Sequence, residues 1–170
     1  ENAVRVESQD YAILAVRRFA ELGCESIGLI SNASQNLAST FISEAKTLGL
    51  ATKPEWIIIT EAIGNLESLG FGMFDALWDQ DEHPDGLLVF PDVLAKGVVQ
   101  NMLARKLHIP DKLKVILHQN KEAPHFAPFP FDVIQVSIEE CAEAVIGALE
   151  QALDGSSPVV TVLPRLIANN

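Results

Sequence analysis

Polar residues collect where short apolar runs end. Asn32 follows the run 26–30 (SIGLI), and Thr60 and Glu61 follow 56–59 (WIII). Asp92 follows 87–90 (LLVF), and His118, Gln119 and Asn120 follow 115–117 (VIL). If these runs are parallel strands, the polar set lies along one edge of a sheet. Convergent donors and acceptors at that edge can hold a small polar ligand. Helix capping and turns call for the same residue types, so a ligand edge and plain capping both stay open for the set. For Asp92 taken alone the cap is the preferred reading.

Catalysis has no comparable support. Gly70-Phe71-Gly72 falls inside a helix pattern and lacks the spacing of a dinucleotide loop. There is no Walker lysine motif and no GxSxG elbow. His83, His108, His118 and His125 are scattered, and of these His118 alone falls at the end of an apolar run. Satisfied or exposed histidines explain them better than ligands or bases. Glu139-Glu140 and Asp79, Asp81 and Glu82 read as helix-terminus and surface charge. Cys24 and Cys141 form no CxxC and no metal-ligand cluster; two mostly buried thiols in a reducing compartment are expected rather than a disulfide. No enzyme, no metal and no cofactor is expected.

The elements that must position the polar set can be read from periodicity. The chain has 170 residues, 48% hydrophobic and 21% charged, which suits one α/β domain able to enclose a core. The net charge of −11 repels phosphate, so these residues are a poor nucleic-acid binder by themselves. No apolar run approaches the roughly 18 residues of a membrane helix, and the polar stretch 1–11 is no signal peptide.

Strands are predicted at 4–6, 26–30, 56–59, 87–90, 115–117, 133–136 and 159–163, with 164–170 as a tail. A first helix follows Ser8 as N-cap, with Asp10 in its first turn, and Gly23 ends it. A second runs 34–48, with Phe41, Ile42, Ala45 and Leu48 inward and Gly49 as terminator. A third runs 65–80, with Gly70 and Gly72 explained by close backbone packing. A fourth is capped by Asp92, carries Val93, Leu94, Val98, Met102, Leu103 and Leu107, and ends at Ile109-Pro110-Asp111. A fifth runs 138–153, with Ala142, Val145, Ile146 and Leu149 inward. Residues 120–131 read as an irregular loop. This alternation implies a doubly wound, mostly parallel sheet with helices on both faces.

The order of motifs resembles the effector-binding domain of the LacI/GalR transcription regulators, which has the type I periplasmic-binding-protein-like fold. Pro84-Asp85-Gly86, Pro91-Asp92, Ala95-Lys96-Gly97, Ile109-Pro110-Asp111 and His118-Gln119-Asn120 hold the positions of the family's P-D-A, N-D, A-x-G, P-D/E turn and aromatic-Asp-Asp. Ala15, Phe19, Leu22-Gly23-Cys24 and Ile27 look like its A-x-x-x-L-x-x-x-G-H-x-x-I. Gly70-Phe71, Leu77-Trp78 and the closing Leu163-Pro164-Arg165-Leu166-Ile167 are similar to further family positions. The resemblance implies that residues 1–170 are the C-terminal portion of the sensor domain. The N-terminal subdomain is then largely missing, and the DNA-reading helix-turn-helix is absent.

Strand-end position and family position together nominate Ser8, Asp10, Asn32, Asn65, Asp92 and Gln119 as effector-binding residues, although Asn65 equally suits a helix cap. Several positions depart from the family's sugar pattern. Its helix-two arginine aligns with Leu37, its Asn before Asp with Pro91, its second-position Asp with Gln119, and its early Asp-Asn pair with Glu7-Ser8. Losing these removes paired hydrogen bonds that recognise hydroxyls. The sugar-like effector typical of the family is therefore doubtful here, which leaves a different small molecule or a cleft without a ligand. The resemblance further implies a cytoplasmic homodimer that reaches DNA through the absent N-terminal domain and does not touch membrane. A transporter's solute-binding protein, a flavodoxin-like enzyme and a purely structural dimerisation domain are the rival readings.

Overall fold

The computed structural model describes residues 2–32, 35–62, 64–124 and 128–169, without the side chain of Gln35; the helix start expected at Ser34 and His125 lie outside the described residues. Six strands make the main sheet, in the order β3(Ile57–Thr60), β2(Ile27–Asn32), β4(Gly86–Phe90), β5(Lys114–Asn120), β6(Asp132–Val136), β8(Arg165–Ile167). All neighbours are parallel except β6–β8. Helices α1(Ser8–Glu21) and α2(Gln35–Leu48) cover one face, and α3(Leu66–Trp78) and α4(Asp92–Ala104) the other. A smaller unit stands apart from this sheet: β1(Ala3–Arg5) pairs in parallel with β7(Val159–Thr161), and α5(Ile138–Leu153) packs on them.

The central strands β2, β4 and β5 are continuous apolar runs because both of their faces are covered. Alternation divides them: Leu87, Val89, Val115 and Leu117 face α3 and α4, while Leu88 and Ile116 face α1 and α2. The edge strand β3 is covered less well, and Ile59 is exposed, contrary to the fully buried strand expected there. Trp56 belongs to a short 3-10 turn before β3 and is itself buried.

Several boundaries shift for local reasons. Glu7, not Ser8, holds the N-cap position of α1, and Ser8 is its first helical residue. Pro91 likewise precedes α4, so Asp92 opens the helix rather than capping it. Helix α4 stops at Ala104, before the Ile109-Pro110 signal, because Lys106 turns into the left-handed region at φ 55°. The expected tail is β8, added antiparallel to β6. The inward stripes of α2 and α4 were drawn too wide: Ile42, Leu48, Val93 and Leu103 are exposed. On α5 the whole expected stripe is exposed, with Ile146 at 57% and Leu149 at 61%, and Ala148 is the buried residue of that helix. Two short strands are too narrow a base to cover it.

Helices α3 and α4 meet backbone to backbone. A methyl group at Gly97 would overlap the Glu67 carbonyl oxygen and lie 2.7 Å from the Phe71 nitrogen, and one at Gly70 would overlap the Leu94 carbonyl oxygen. Gly72 has open space instead, so close packing explains Gly70 and not Gly72. Asn101, almost fully buried, locks the same pair by donating to the Phe71 carbonyl at 2.8 Å and to Asp75 Oδ1 at 2.7 Å. Two substitutions of one chemistry should therefore diverge. Gly97→Ala forces the helices apart and should cost about 1–3 kcal/mol. Gly72→Ala should gain about 0.5–1 kcal/mol from helix propensity. Urea midpoints of the two variants check this, and equal midpoints would refute the backbone contact.

Candidate functional site

The chain leaves β2 toward one face of the sheet and leaves β4 toward the other. Adjacent parallel strands with that divergence open a crevice at their carboxyl ends. Ser31 lies opposite Phe90 in the β2–β4 register, so Asn32 and Asp92 flank the crevice. The first turn of α1 brings Ser8, Asp10 and Tyr11 to the same edge, since α1 runs back along the sheet into β2. Chain segments cross from this sheet to the smaller unit three times, at β1–α1, β6–α5 and β7–β8.

Three rings meet at the edge. Tyr11 lies 5.1 Å from Phe90 and 5.2 Å from His118 between centroids, and Phe90 lies 4.8 Å from His118. Alternation along β4 and β5 puts Phe90 and His118 one step beyond Leu88 and Ile116, on the face that α1 covers. His118 is mostly buried, and its Nδ1 accepts the Asp92 amide at 3.2 Å. An accepting Nδ1 leaves the ring proton of a neutral imidazole on Nε2. The carboxylate of Asp92 sits in the first turn of α4, where the helix dipole favours negative charge.

Tyr11 is 3% exposed, and among the described residues no hydrogen bond reaches its hydroxyl. Among those residues only Thr52 Oγ1 is a fully buried side-chain polar atom without a partner, so the Tyr11 hydroxyl opens to space rather than into the core. Burial first, then Cys141 and Asp10, pushes this phenol up to about 12. It is a permanent donor at neutral pH. Cys141 lies in the first turn of α5, so the hydroxyl faces the side of the smaller unit.

The nominated residues divide. Ser8, Asp10, Asn32 and Asp92 lie at the strand-end edge, each half-buried, but Asn32 continues the side of Ile30, toward α3 and α4. Gln119 faces that side too, because it alternates with His118. There it lines a separate pocket of about 300 Å³ with Phe129, Phe131, Gln135 and Asn169. The Asn65 side chain caps α3, accepting from the Ser68 amide at 3.1 Å, and is exposed. Tyr11 and Phe90 were missed: one reads as an ordinary helix position, the other as strand core. Their signal is alternation, which aligns Phe90 with His118 once both strands are drawn to their ends. Leu37 is fully buried in the core under α1 and α2. Among the described residues no cluster of His, Cys, Asp or Glu is placed to hold a metal ion, and no helix is long and apolar enough to cross a membrane.

Glu122 was also missed, lying in the expected irregular loop. Its carboxylate takes the Ser137 hydroxyl at 2.7 Å and the Ile138 amide at 2.9 Å, while Ser137 Oγ accepts the Glu140 amide at 3.2 Å. The start of α5 is thus capped across one of the three crossings.

A family model for a periplasmic binding protein-like domain matches residues 16–168. The HTH-type transcriptional repressor PurR of Pasteurella multocida (strain Pm70) is 24% identical over 162 residues, covering 91% of this chain and 48% of that protein. The chain thus spans about half the length of that curated relative. A LacI family transcription regulator from Clostridium acetobutylicum superposes with a TM-score of 0.87 at 22% identity, over 99% of this chain and 65% of that one. The Escherichia coli transcriptional repressor ascG superposes with a TM-score of 0.79 at 19% identity, over 98% of this chain and 62% of that one. At such identities these superpositions establish the fold.

The Glu122 cap has a pH signature. The Ser137 hydroxyl, then the Ile138 amide, drive its carboxyl down to about 2. A depressed pKa means that its stabilising contribution is complete above the ordinary glutamate value of about 4.3. That contribution is lost as pH falls through about 2. Carboxyl-carbon NMR should find Glu122 titrating last among the glutamates. Glu122→Gln should flatten the acid limb of the stability curve, and a wild-type titration midpoint near 4 would refute the cap.

Proposed function

The chain belongs to the periplasmic binding protein-like domain family, and from that premise we propose that it is the C-terminal portion of the effector-binding domain of a LacI-type transcription regulator. One observation carries this reading: a crevice rimmed by polar side chains faces a second unit joined to it by three chain crossings. Such crossings are hinge geometry, and a ligand held between two lobes biases their closure. Lobe closure then changes the geometry of a homodimer whose DNA-reading domain precedes these residues. Ser8, Asp10, Asn32 and Asp92 contribute to the effector wall. Asn65 acts as a helix cap, and Gln119, like Asn32, acts from the side of α3 and α4.

The smaller unit supports the same reading. A parallel pair of three-residue strands is not a stable sheet by itself, and the exposed stripe Val145, Ile146 and Leu149 is core with nothing on it. Further β–α units of the same lobe would cover both. Catalysis is not part of the proposal.

The test uses the full-length protein that carries this chain. It should sediment as a dimer and retain particular duplexes from a random library. A stabilising small molecule should change that DNA affinity by roughly 5–150-fold. At a hundredfold excess over its dissociation constant the molecule should add about 2.7 kcal/mol to stability. A full-length protein that retains no duplex and carries a cleaved signal peptide would instead be a transporter's solute-binding protein.

A further inference from the structure

We propose that the junction between the two units carries an exchangeable ion pair: Glu140 of α5 holds Arg165 at the angle of this structure and Lys121 at a second angle. The inference rests on the two-lobe part of the proposed function and names a device that sets the lobe angle. Glu140 belongs to the smaller unit, and both cations belong to the main sheet: Arg165 opens β8, and Lys121 follows the last residue of β5. The guanidinium grips the carboxylate at two points, Nη1 to Oε1 at 2.8 Å and Nη2 to Oε2 at 3.0 Å. Such a fork fixes orientation as well as distance.

The first turn of α5 supplies both a pivot and a pointer. Glu122 accepts the Ser137 hydroxyl at 2.7 Å and the Ile138 amide at 2.9 Å, which anchors the start of α5 to the exit of β5. Ser137 Oγ accepts the Glu140 amide at 3.2 Å, which ties the backbone of Glu140 to that anchor. Rotation of the smaller unit about the anchor therefore swings the Glu140 carboxylate across the end of the main sheet.

Room for the swing and a second partner are both present. Lys121, Ser137, Glu140 and Arg165 line one cavity of about 130 Å³. Among the described residues no ion pair or hydrogen bond reaches the Lys121 ammonium. Glu122 already serves Ser137 and Ile138, so Glu140 is the carboxylate of this cavity that is open to exchange. An ammonium takes a carboxylate from many directions, whereas a guanidinium makes its double bond in one planar fork. Departure from the fork angle thus releases Arg165 and leaves Lys121 able to bind. Exchange of interface ion pairs between two discrete arrangements is an established way for joined units to switch.

The experiment is pulsed electron–electron double resonance on the full-length protein. Nitroxides are attached through p-acetylphenylalanine at the exposed positions Lys46 of α2 and Glu150 of α5. Labelled chains are diluted with unlabelled ones so that a single inter-lobe distance is read. Arg165→Gln should raise the population at a second distance about two- to fivefold, the range of an exposed ion pair. Adding Lys121→Gln to that variant should reverse the rise. In a Glu140→Gln background neither cation substitution should move the distribution, and about 1 M salt should shrink the difference between wild type and Arg165→Gln. Lys121 and Arg165 are exposed and Glu140 is half-buried, so these variants leave the core untouched. An unchanged distribution in Arg165→Gln, or shifts that persist without Glu140, overturn the exchange. Duplex retention by the same samples judges the regulator reading separately. Retained duplex with no Arg165→Gln shift removes the exchange and keeps that reading, and lost retention with the full pattern of shifts does the reverse.

Discussion

Two backbones in contact set the geometry of the edge at which β2 and β4 end. Helix α4 cannot slide or rotate on α3 while Gly97 rests on the Glu67 carbonyl and Gly70 rests on the Leu94 carbonyl. Polar bonds make the same helix pair specific: Asn101 reaches Phe71 and Asp75, and Arg105 reaches Asp75 at 2.6 Å and Asp79 at 2.7 Å. The start of α4 is therefore fixed with respect to β4. That fixes the Asp92 amide, which in turn fixes the ring of His118 through Nδ1. Across the sheet, Arg18 Nε pairs with Asp132 Oδ2 at 2.6 Å in a mostly buried site, tying α1 to β6 and holding the first turn of α1 over the same edge. Breaking such a pair from one side costs far more than forming it contributes, so it serves register as much as stability. The crevice is thus held from both faces by contacts that lie outside it.

The larger sheet has its helices and its core, whereas the smaller unit has a helix with an apolar stripe and only two strands. Their junction is polar. Glu122, Ser137, Glu140 and Arg165 sit where β6 passes into α5 and β7 into β8, and Arg165 Nη1 pairs with Glu140 Oε1 at 2.8 Å. Hydrogen bonds of this kind survive a change of angle better than an interlocked apolar interface does, because bistable packing resists continuous deformation. Capped helix starts and short crossings thus make up the junction between the two units.

The sheet itself was legible because its strands are continuous apolar runs, and the glycine terminators of α1 and α2 were legible because only a left-handed turn fits there. Gly23 and Gly49 both have positive φ, at 72° and 74°. Strand ends were not legible. Asn32, Thr60, His118, Gln119 and Asn120 look like loop residues by type, yet ladder hydrogen bonds carry each strand through them. This hid the alternation that separates Gln119 from His118. The α5 stripe was read correctly as apolar and wrongly as covered, since periodicity reports a face and not its partner. Gly70 and Gly72 could not be told apart by sequence, because the difference lies in what α4 brings against each.

Leu37 shows how deep the departure from a hydroxyl-binding pattern goes. The resemblance places an arginine of the sugar-binding members at this position. Here the side chain is fully buried among the residues under α1 and α2. The position has not merely lost a charge at the crevice; it has joined the core. Restoring arginine would bury a guanidinium against Phe41 and its neighbours or push α2 outward, and an unpaired buried charge is among the costliest features a core can carry. The α1 and α2 face of the sheet thus runs as unbroken apolar packing up to the crevice edge. There it ends in the rings of Tyr11, Phe90 and His118. The rim at this edge is thus backed by core packing that extends to the last residues of β4 and β5.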